Sequence, residues 1–511
     1  MRRQRHNARM HPSLQPVRID AAAGPWPLHD AAASRGIEQT ALAAHAPMAL
    51  MEAAGLAVAR LAIAIVPHAR RVRVWAGPGN NGGDGLVAAR HLHAAGVALQ
   101  VHMTGAPGAL PPDAAAALAR ATAAGVPITS GADGADERVD LAIDALLGLG
   151  TRRAPDGPIA AAIAAMNRGP APVLAVDLPS GLHPDTGALL GSDAVKATAT
   201  LALLTAKPGC FTGHGRGHAG DVWLHTLGIE PGPPSAWLTG AVQGAARPLS
   251  SHKGSHGDVV VVGGALGMVG AAWLAARAAS AAGAGRVYCS PLDPGASLLD
   301  VEQAALMGRQ AWWLSPPAVL AAATVVCGCG GGDEVRSALP ALLSNVPRLV
   351  LDADALNAIS VDTALLNLLR QRAARGLRTL LTPHPLEAAR LLQSSSAAVQ
   401  TDRLAGAVEL AERCLCTVLL KGSGTVIAAP GQLPHINPTG NAALATAGTG
   451  DVLAGWAAGL WAQAPQSDAL QVAVTAAWQH GRAADAWPAA ARGAPLRAGA
   501  LIERLARREF G

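Results

Sequence analysis

"RVRVWAGPGNNGGDGLVAARHL", Arg71 to Leu92, runs from an apolar stretch with strand character through a glycine-rich turn into a helical segment. Strand, turn and helix in that order open a βαβ unit, the building block of a parallel sheet covered by helices. The turn contains a literal G-x-G-x-x-G at Gly77, Gly79 and Gly82. A dinucleotide-binding turn also needs a carboxylate about 20 residues on, at the end of the next strand, to hold a ribose hydroxyl. The next strand-like run, "GVALQVHMTG", offers only Gln100. The turn also carries Asn80, Asn81 and Asp84, polar side chains that a close-packed pyrophosphate cradle does not require. The sequence therefore argues against an NAD-dependent dehydrogenase.

The same rhythm extends in both directions. Residues 28–65 read as helix, and "VDLAIDALLG", "PVLAVDLPSG", "ATATLALLT" and "GDVWLHTLG" read as strands between Ala-rich helices. Periodicity lapses around residue 240 in a Pro-, Gly- and Ser-rich stretch, which marks a domain boundary. It resumes with "DVVVVGG", "GRVYCSP", "AATVVCGCGGG", "RLVLDADAL", "RTLLTPHP" and "CTVLLKGSGTVIA". A chain of 511 residues is long for one core. The expectation is two tandem α/β domains, residues 25–235 on a Rossmann-like parallel-sheet sandwich and residues 245–508 as a second α/β domain.

Composition narrows the function classes. The net charge is +5 and aromatic residues make up 3% of the chain, with no basic stripe interleaved with aromatics, so nucleic acid is not an expected partner. The basic leader "MRRQRHNARMHPSLQPVR" is followed by no apolar core, and no apolar run is long enough for a membrane span. The expectation is a soluble, cytoplasmic, homo-oligomeric protein that acts on small molecules. The six cysteines, Cys210, Cys289, Cys327, Cys329, Cys414 and Cys416, lack the spacing and companion histidines of a zinc site and read as small buried thiols. The only lysines are Lys196, Lys207, Lys253 and Lys421.

In the first half, Asn81, Asp144 and Ser180 each follow a strand, and neighbouring parallel strands bring such positions together at their carboxyl ends. Three oxygen donors of this kind suit a weakly held cation. A single Asp at such a turn is more often a helix cap; the three together favour a site. "GNNGGDG" and "VDLPSGL", with "MEAAG" at Met51 to Gly55 and "AKPG" around Lys207, resemble the NAD(P)H-hydrate epimerase family. The resemblance implies that Asn80, Asn81, Gly82, Gly83 and Asp84, with Gly148, Leu149, Gly150, Thr151, Arg152, Arg153 and Ala154, line a site for the hydrated nucleotide. It also implies that Asn81, Asp144 and Ser180 hold K+ and that Asp177 contacts substrate. Leu149 departs from the threonine usual there. A carboxylate facing C6 of the hydrated ring can act as acid and base, which places Asp177 in the catalytic role.

In the second half, "NPTGNAALATAGTGDVLAGWAAGL" brings a small-residue loop to a helix start at Asp451. Backbone N–H groups at a helix start make an anion site. An isolated Asp there can simply cap the helix, but the flanking glycines favour a carboxylate that faces a hydroxyl awaiting deprotonation beside a phosphoryl group. "LLKGSGT" places Lys421, Gly422, Ser423, Gly424 and Thr425 at a strand end, and "LTPHPLE" places His384 at a strand-to-helix junction. With "HKGSHG" and "VLDADALN", these segments resemble the ribokinase-like fold and its NAD(P)H-hydrate dehydratase branch. The resemblance implies that Ala271, Gly332, His384 and Asp451 border the hydrated nicotinamide. It implies further that Lys421 to Thr425 and Gly450 hold an adenine nucleotide, that Asp451 is the base, and that ADP with Mg2+ supplies the phosphoryl group. "CGCGGG" departs from the usual pattern, with Cys329 in place of proline and Gly331 in place of leucine. Two other readings remain open: phosphorylation of a small alcohol by the second domain, and a binding or scaffold role for the first.

Overall fold

The computed structural model describes residues 15–105, 107–130, 138–242, 247–488 and 493–508. The leader up to residue 14 lies outside them. The chain divides into two compact units: one holds Trp26–Trp237 with the residues up to Asp20, the other Ala21–Pro25 with Leu238 onward.

In the N-terminal unit an eight-stranded sheet has Arg71–Ala76 in its interior. From there the chain steps outward to Ala98–Met103 and Ile128–Ser130. It then returns to the other side of Arg71–Ala76 with Leu141–Ala145, Val173–Val176, Ala199–Leu203 and Asp221–His225. All these pairs are parallel, and the short strand Val17–Arg18 closes the edge in antiparallel fashion. The order reverses between Arg71–Ala76 and Leu141–Ala145, the position where doubly wound sheets open a crevice. The "GPGNNGGDG" turn and the "DALLGLG" turn leave the sheet on either side of that opening.

The stretch 28–65 is not one helix. Ala31–Ala44 and Ala49–Ile65 are separate helices bent by 116°. Pro47 lies in the break, where it withholds an N–H and pushes the residue before it out of helical geometry, and Met48 turns left-handed with φ 67°. Among the described residues no single helix is long and apolar enough to cross a membrane.

In the C-terminal unit the sheet runs Met307–Gly308, Arg286–Pro291, Asp258–Gly263, Thr324–Cys327, Arg348–Leu351, Arg378–Leu381 and Thr417–Leu420, all parallel. Val426–Ala428 and His435–Ile436 then add antiparallel strands. "CTVLLKGSGTVIA" is thus a hairpin whose loop is Lys421 to Thr425, rather than one strand and its exit. Val259, Val260, Val261 and Val262 are all buried, as strands covered on both faces require.

The helices Val269–Ala282 and Thr449–Gln463 carry Ala271 and Asp451 at their N-terminal ends. Small residues let them approach closely: a Cβ on Gly455 would overlap the Ala275 carbonyl, and one on Gly459 would stand 2.5 Å from the Ala279 oxygen. The Ala- and Gly-rich composition here sets the distance between two walls of a site. Gly455→Val forces these backbones apart, and overpacking of this kind costs about 1–3 kcal/mol or more. Differential scanning calorimetry should show a lower unfolding midpoint for the C-terminal unit; a loss below about 0.5 kcal/mol would contradict this packing.

Two candidate active sites

At the switch point of the N-terminal sheet lies a cleft of about 740 Å3. Asn80, Asn81, Asp84, Asp177 and the segment Gly148 to Ala154 line it, together with Ser34, Arg35 and Glu38 from the helix Ala31–Ala44, and Lys207. Gly82 and Gly83 do not line it. They are buried beneath the turn, where an added Cβ would overlap the Gly77 carbonyl or meet the Met51 side chain 2.6 Å away.

Asp177 follows the strand Val173–Val176 in a left-handed conformation, φ 70°. Its carboxylate accepts from the Lys207 ammonium and, at 3.3 Å, from the Leu203 N–H. Lys207 leaves the adjacent strand, donates also to the Leu203 carbonyl at 2.8 Å, and is 2% exposed. Two further carboxyls face this pair. Burial, followed by the charges of Asp177 and Glu38, pushes the Asp84 carboxyl well above the usual carboxylate range. Burial and the Asp177 charge raise Glu38 as well. Glu38 and the Lys207 partnership escaped the sequence reading. Glu38 sits on a helix remote in sequence from the glycine turn, and no local pattern marks it.

Asp144 and Ser180 lie behind the cleft. Asp144 is fully buried and accepts from the Ser180 N–H at 2.8 Å, the Ser180 hydroxyl at 2.6 Å and the Leu146 N–H at 3.2 Å. Burial still pushes its carboxyl up to about 6 against those hydrogen bonds. Asn81 donates from Nδ2 to the Leu147 carbonyl at 3.0 Å, and the Leu147 N–H donates to Ser180 Oγ at 2.9 Å. The three residues therefore all bind the Leu146–Leu147 turn. Asn81 Oδ1 accepts no hydrogen bond among the described residues, so the turn is flanked by a neutral oxygen without a donor and by a carboxylate that burial destabilises. That donor set fits a hard monovalent cation.

In the C-terminal unit, Asp352 and Lys421 follow the strands Arg348–Leu351 and Thr417–Leu420 and pair at 2.8 Å. Thr382, from the strand between them, donates to the same Asp352 oxygen at 2.7 Å. Burial opposes the Lys421 charge, but the Asp352 and Glu387 carboxyls with Cys329 together outweigh it and raise its pKa. Gly450 lies against this ammonium, 3.4 Å from an added Cβ to Nζ. Burial, and after it the Asp352 charge, pushes Asp451 up to about 6.

The Lys421 to Thr425 loop rests on Arg403, buried at 1% exposure, whose guanidinium donates to the Leu420 and Lys421 carbonyls at 3.2 and 3.1 Å. Burial lowers this arginine to about 10. His384 is exposed and caps the helix Pro385–Leu392: its Nδ1 accepts from the Leu386 and Glu387 N–H groups, and Nε2 lies 3.1 Å from a Glu387 oxygen. Gly332, at φ 55°, donates its N–H to Asp354 at 2.9 Å. Ala271 packs where a Cβ on Gly330 would stand 2.9 Å from its own. Lys253 is exposed on a short helix before the strand Asp258–Gly263, at the sheet end away from Lys421. "VLDADALN" was legible as a motif, yet only the fold reveals Asp352 as the partner of Lys421.

Each half is thus an α/β nucleotide-processing unit with an Asp–Lys pair, its carboxylate buried, at the carboxyl edge of its sheet. Residues 47–209 match the family described as YjeF-related protein N-terminus, and residues 259–506 match NAD(P)H-hydrate dehydratase. The bifunctional NAD(P)H-hydrate repair enzyme Nnr of Escherichia coli is 36% identical, covering 85% of this chain and 84% of its own. The corresponding enzyme of Coxiella burnetii is also 36% identical, covering 81% and 85%. The enzyme of Leishmania major is 35% identical, covering 85% and 84%. Among solved structures, the ADP/ATP-dependent NAD(P)H-hydrate dehydratase from Bacillus subtilis co-crystallised with ATP/Mg2+ is 28% identical. It covers 52% of this chain and 94% of its own, at a TM-score of 0.43. The chain belongs to the bifunctional NAD(P)H-hydrate repair enzyme family.

The Asp177–Lys207 pair makes a direct stability prediction. Lys207→Met leaves a buried carboxylate uncompensated and should destabilise the N-terminal unit by about 3–5 kcal/mol in denaturant titrations. The double variant Asp177→Asn/Lys207→Met removes both charges and should recover most of that loss. Equal losses in the single and double variants would show that the pair is not coupled.

Proposed function

We propose that the N-terminal domain, residues 25–235, interconverts the R and S forms of hydrated NADH and NADPH, and that the C-terminal domain, residues 245–508, dehydrates the S form with ADP. In the first reaction the C6 hydroxyl departs as water, leaving a ring cation, and water returns on the opposite face. Asp84, raised well above the usual carboxylate range, gives a proton to the departing oxygen with Glu38 beside it. The Asp177 carboxylate faces the ring, stabilises the cation and accepts a proton from the returning water, a proton that passes back to Asp84 to close the cycle. Asn81, Asp144 and Ser180 would hold K+ behind the cleft, a charge that relieves the buried Asp144 carboxylate. Leu149 leaves Thr151, Arg152 and Arg153 as the polar groups of the 148–154 segment available to the nucleotide's phosphates.

In the second reaction Asp451 takes the C6 hydroxyl proton as the oxygen attacks the terminal phosphoryl group of ADP, and AMP leaves. Phosphate then departs from C6 and a C5 proton is lost, restoring the ring double bond. Lys421 to Thr425 and Gly450 bind the nucleotide. His384, Gly332 and Ala271 border the ring, His384 by fixing the helix start. Mg2+ would enter on the phosphates, because the one cluster with metal-ligand proximity among the described residues includes a thiol that does not suit it. The cytoplasm, where these nucleotides turn over, is the compartment this reading implies.

The observation that carries the proposal is the raised Asp451 carboxyl beside the charged Asp352–Lys421 pair, a base poised near neutral pH. Asp451→Asn should abolish regeneration of NADH from hydrate and ADP while R/S interconversion, followed by chromatography, continues. Asp177→Asn should do the reverse, slowing epimerisation by about 10²-fold or more. A stable phosphorylated product without NADH would instead indicate an alcohol kinase.

A pH profile tests the same base. The dehydration rate should fall as pH drops through about 6, where Asp451 gains a proton. A rate that is flat across that range would remove Asp451 from the role. For the cation site, K+ should raise the thermal midpoint of the N-terminal unit relative to a large organic cation, and Asp144→Asn should erase the difference. An equal response in the variant would place the cation elsewhere.

A further inference from the structure

The cysteines read as inert buried thiols, and all six are free and buried. Cys329 differs in its neighbours. Its Sγ lies 3.9 Å from Asp352 Oδ2 and within 4.8 Å of an Asp451 carboxyl oxygen. The sulfur, one Asp352 oxygen and one Asp451 oxygen all lie within 4.8 Å of one another. They come from three places in the sequence: the loop after Thr324–Cys327, the residue after Arg348–Leu351, and the first turn of Thr449–Gln463.

A tetrahedral ion with metal–sulfur and metal–oxygen bonds of about 2.3 and 2.1 Å holds its ligand atoms about 3.5 Å apart. Contraction by at most about 1.3 Å, within reach of side-chain rotations, would close this triad on an ion. Lys421 and Thr382 both engage Asp352 Oδ1, which leaves Oδ2 to face the thiol. The charges also balance: a thiolate, two carboxylates, the Lys421 ammonium and a divalent ion sum to zero. A thiolate selects zinc-like or softer ions over Mg2+.

We propose that Cys329, Asp352 and Asp451 form a binding site for a borderline or soft divalent cation, Zn2+ or Cd2+, with water as the fourth ligand on the side where Asp451 meets solvent. On binding, the S–H bond breaks, a metal–sulfur bond forms, and the proton passes to solvent; nothing is oxidised or reduced. Where Asp451 is the dehydration base, a consequence that rests on the functional reading above, an ion held there stops dehydration and leaves epimerisation running. The site then makes the second activity of the chain sensitive to zinc-like metals.

The test titrates the reduced full-length protein with Cd2+ and follows the thiolate-to-cadmium charge-transfer absorption. The band should rise to one ion per chain, vanish in Cys329→Ser and persist in Cys416→Ala, which changes a thiol outside the cluster. Asp352→Asn should weaken binding by at least about tenfold, with circular dichroism confirming that each variant is folded. No band in the unaltered protein, or one that survives Cys329→Ser, overturns the site. A band that forms while dehydration continues at full rate supports the site and overturns the role of Asp451 as base, so the two failures read differently.

Discussion

In each half of this protein a buried carboxylate paired with a lysine stands at the carboxyl edge of a parallel sheet: Asp177 with Lys207, and Asp352 with Lys421. The chain has only four lysines, and two of them are committed here. Removing a charge from water is expensive unless a partner meets it, and in each pair the lysine ammonium is that partner for the carboxylate. That carboxylate then acts on its neighbours. Asp84 and Glu38 in one unit, and Asp451 in the other, are raised by burial and by the adjacent paired carboxylate. Carboxyl groups separated in this way into charge holders and proton carriers are what acid–base chemistry near neutral pH requires.

The pairs exist because parallel strands end together. Asp177 and Lys207 leave adjacent strands, whereas Asp352 and Lys421 leave strands two places apart, bridged by the Thr382 hydroxyl. Register therefore controls the chemistry. Small residues on the packed helices Val269–Ala282 and Thr449–Gln463 set the remaining distance, because Asp451 reaches the pair only when those backbones lie close. The cation position proposed behind the N-terminal cleft would follow the same logic, with Asp144 and Ser180 brought together from neighbouring strands.

Much of this was legible in the sequence. Apolar runs ending in Gly, Asp or Ser located the strands and the edges where ligands gather, and they placed Asn81, Asp144, Asp177 and Lys421 at those edges, while a small-residue loop placed Asp451 at a helix start. Three features were not legible, each for a physical reason. The break at Pro47 is one residue in an otherwise helical composition, and the helix it separates carries Ser34, Arg35 and Glu38 to the cleft. The hairpin after Thr417 reverses chain direction through a loop that looks like any phosphate-friendly strand exit. Cys329 meets Asp352 and Asp451 only through topology, since no spacing rule connects residues that the fold draws from separate strand ends.

The central claim is that each half carries its own complete site, built on its own charge pair. Mixing Asp177→Asn chains with Asp451→Asn chains, and supplying both hydrate epimers with ADP, tests it most directly. The account predicts that the mixture returns all of the hydrate as NADH at a rate far above that of either variant alone. Recovery no better than the Asp177→Asn chain achieves alone would show that the two sites do not work independently, and would contradict it.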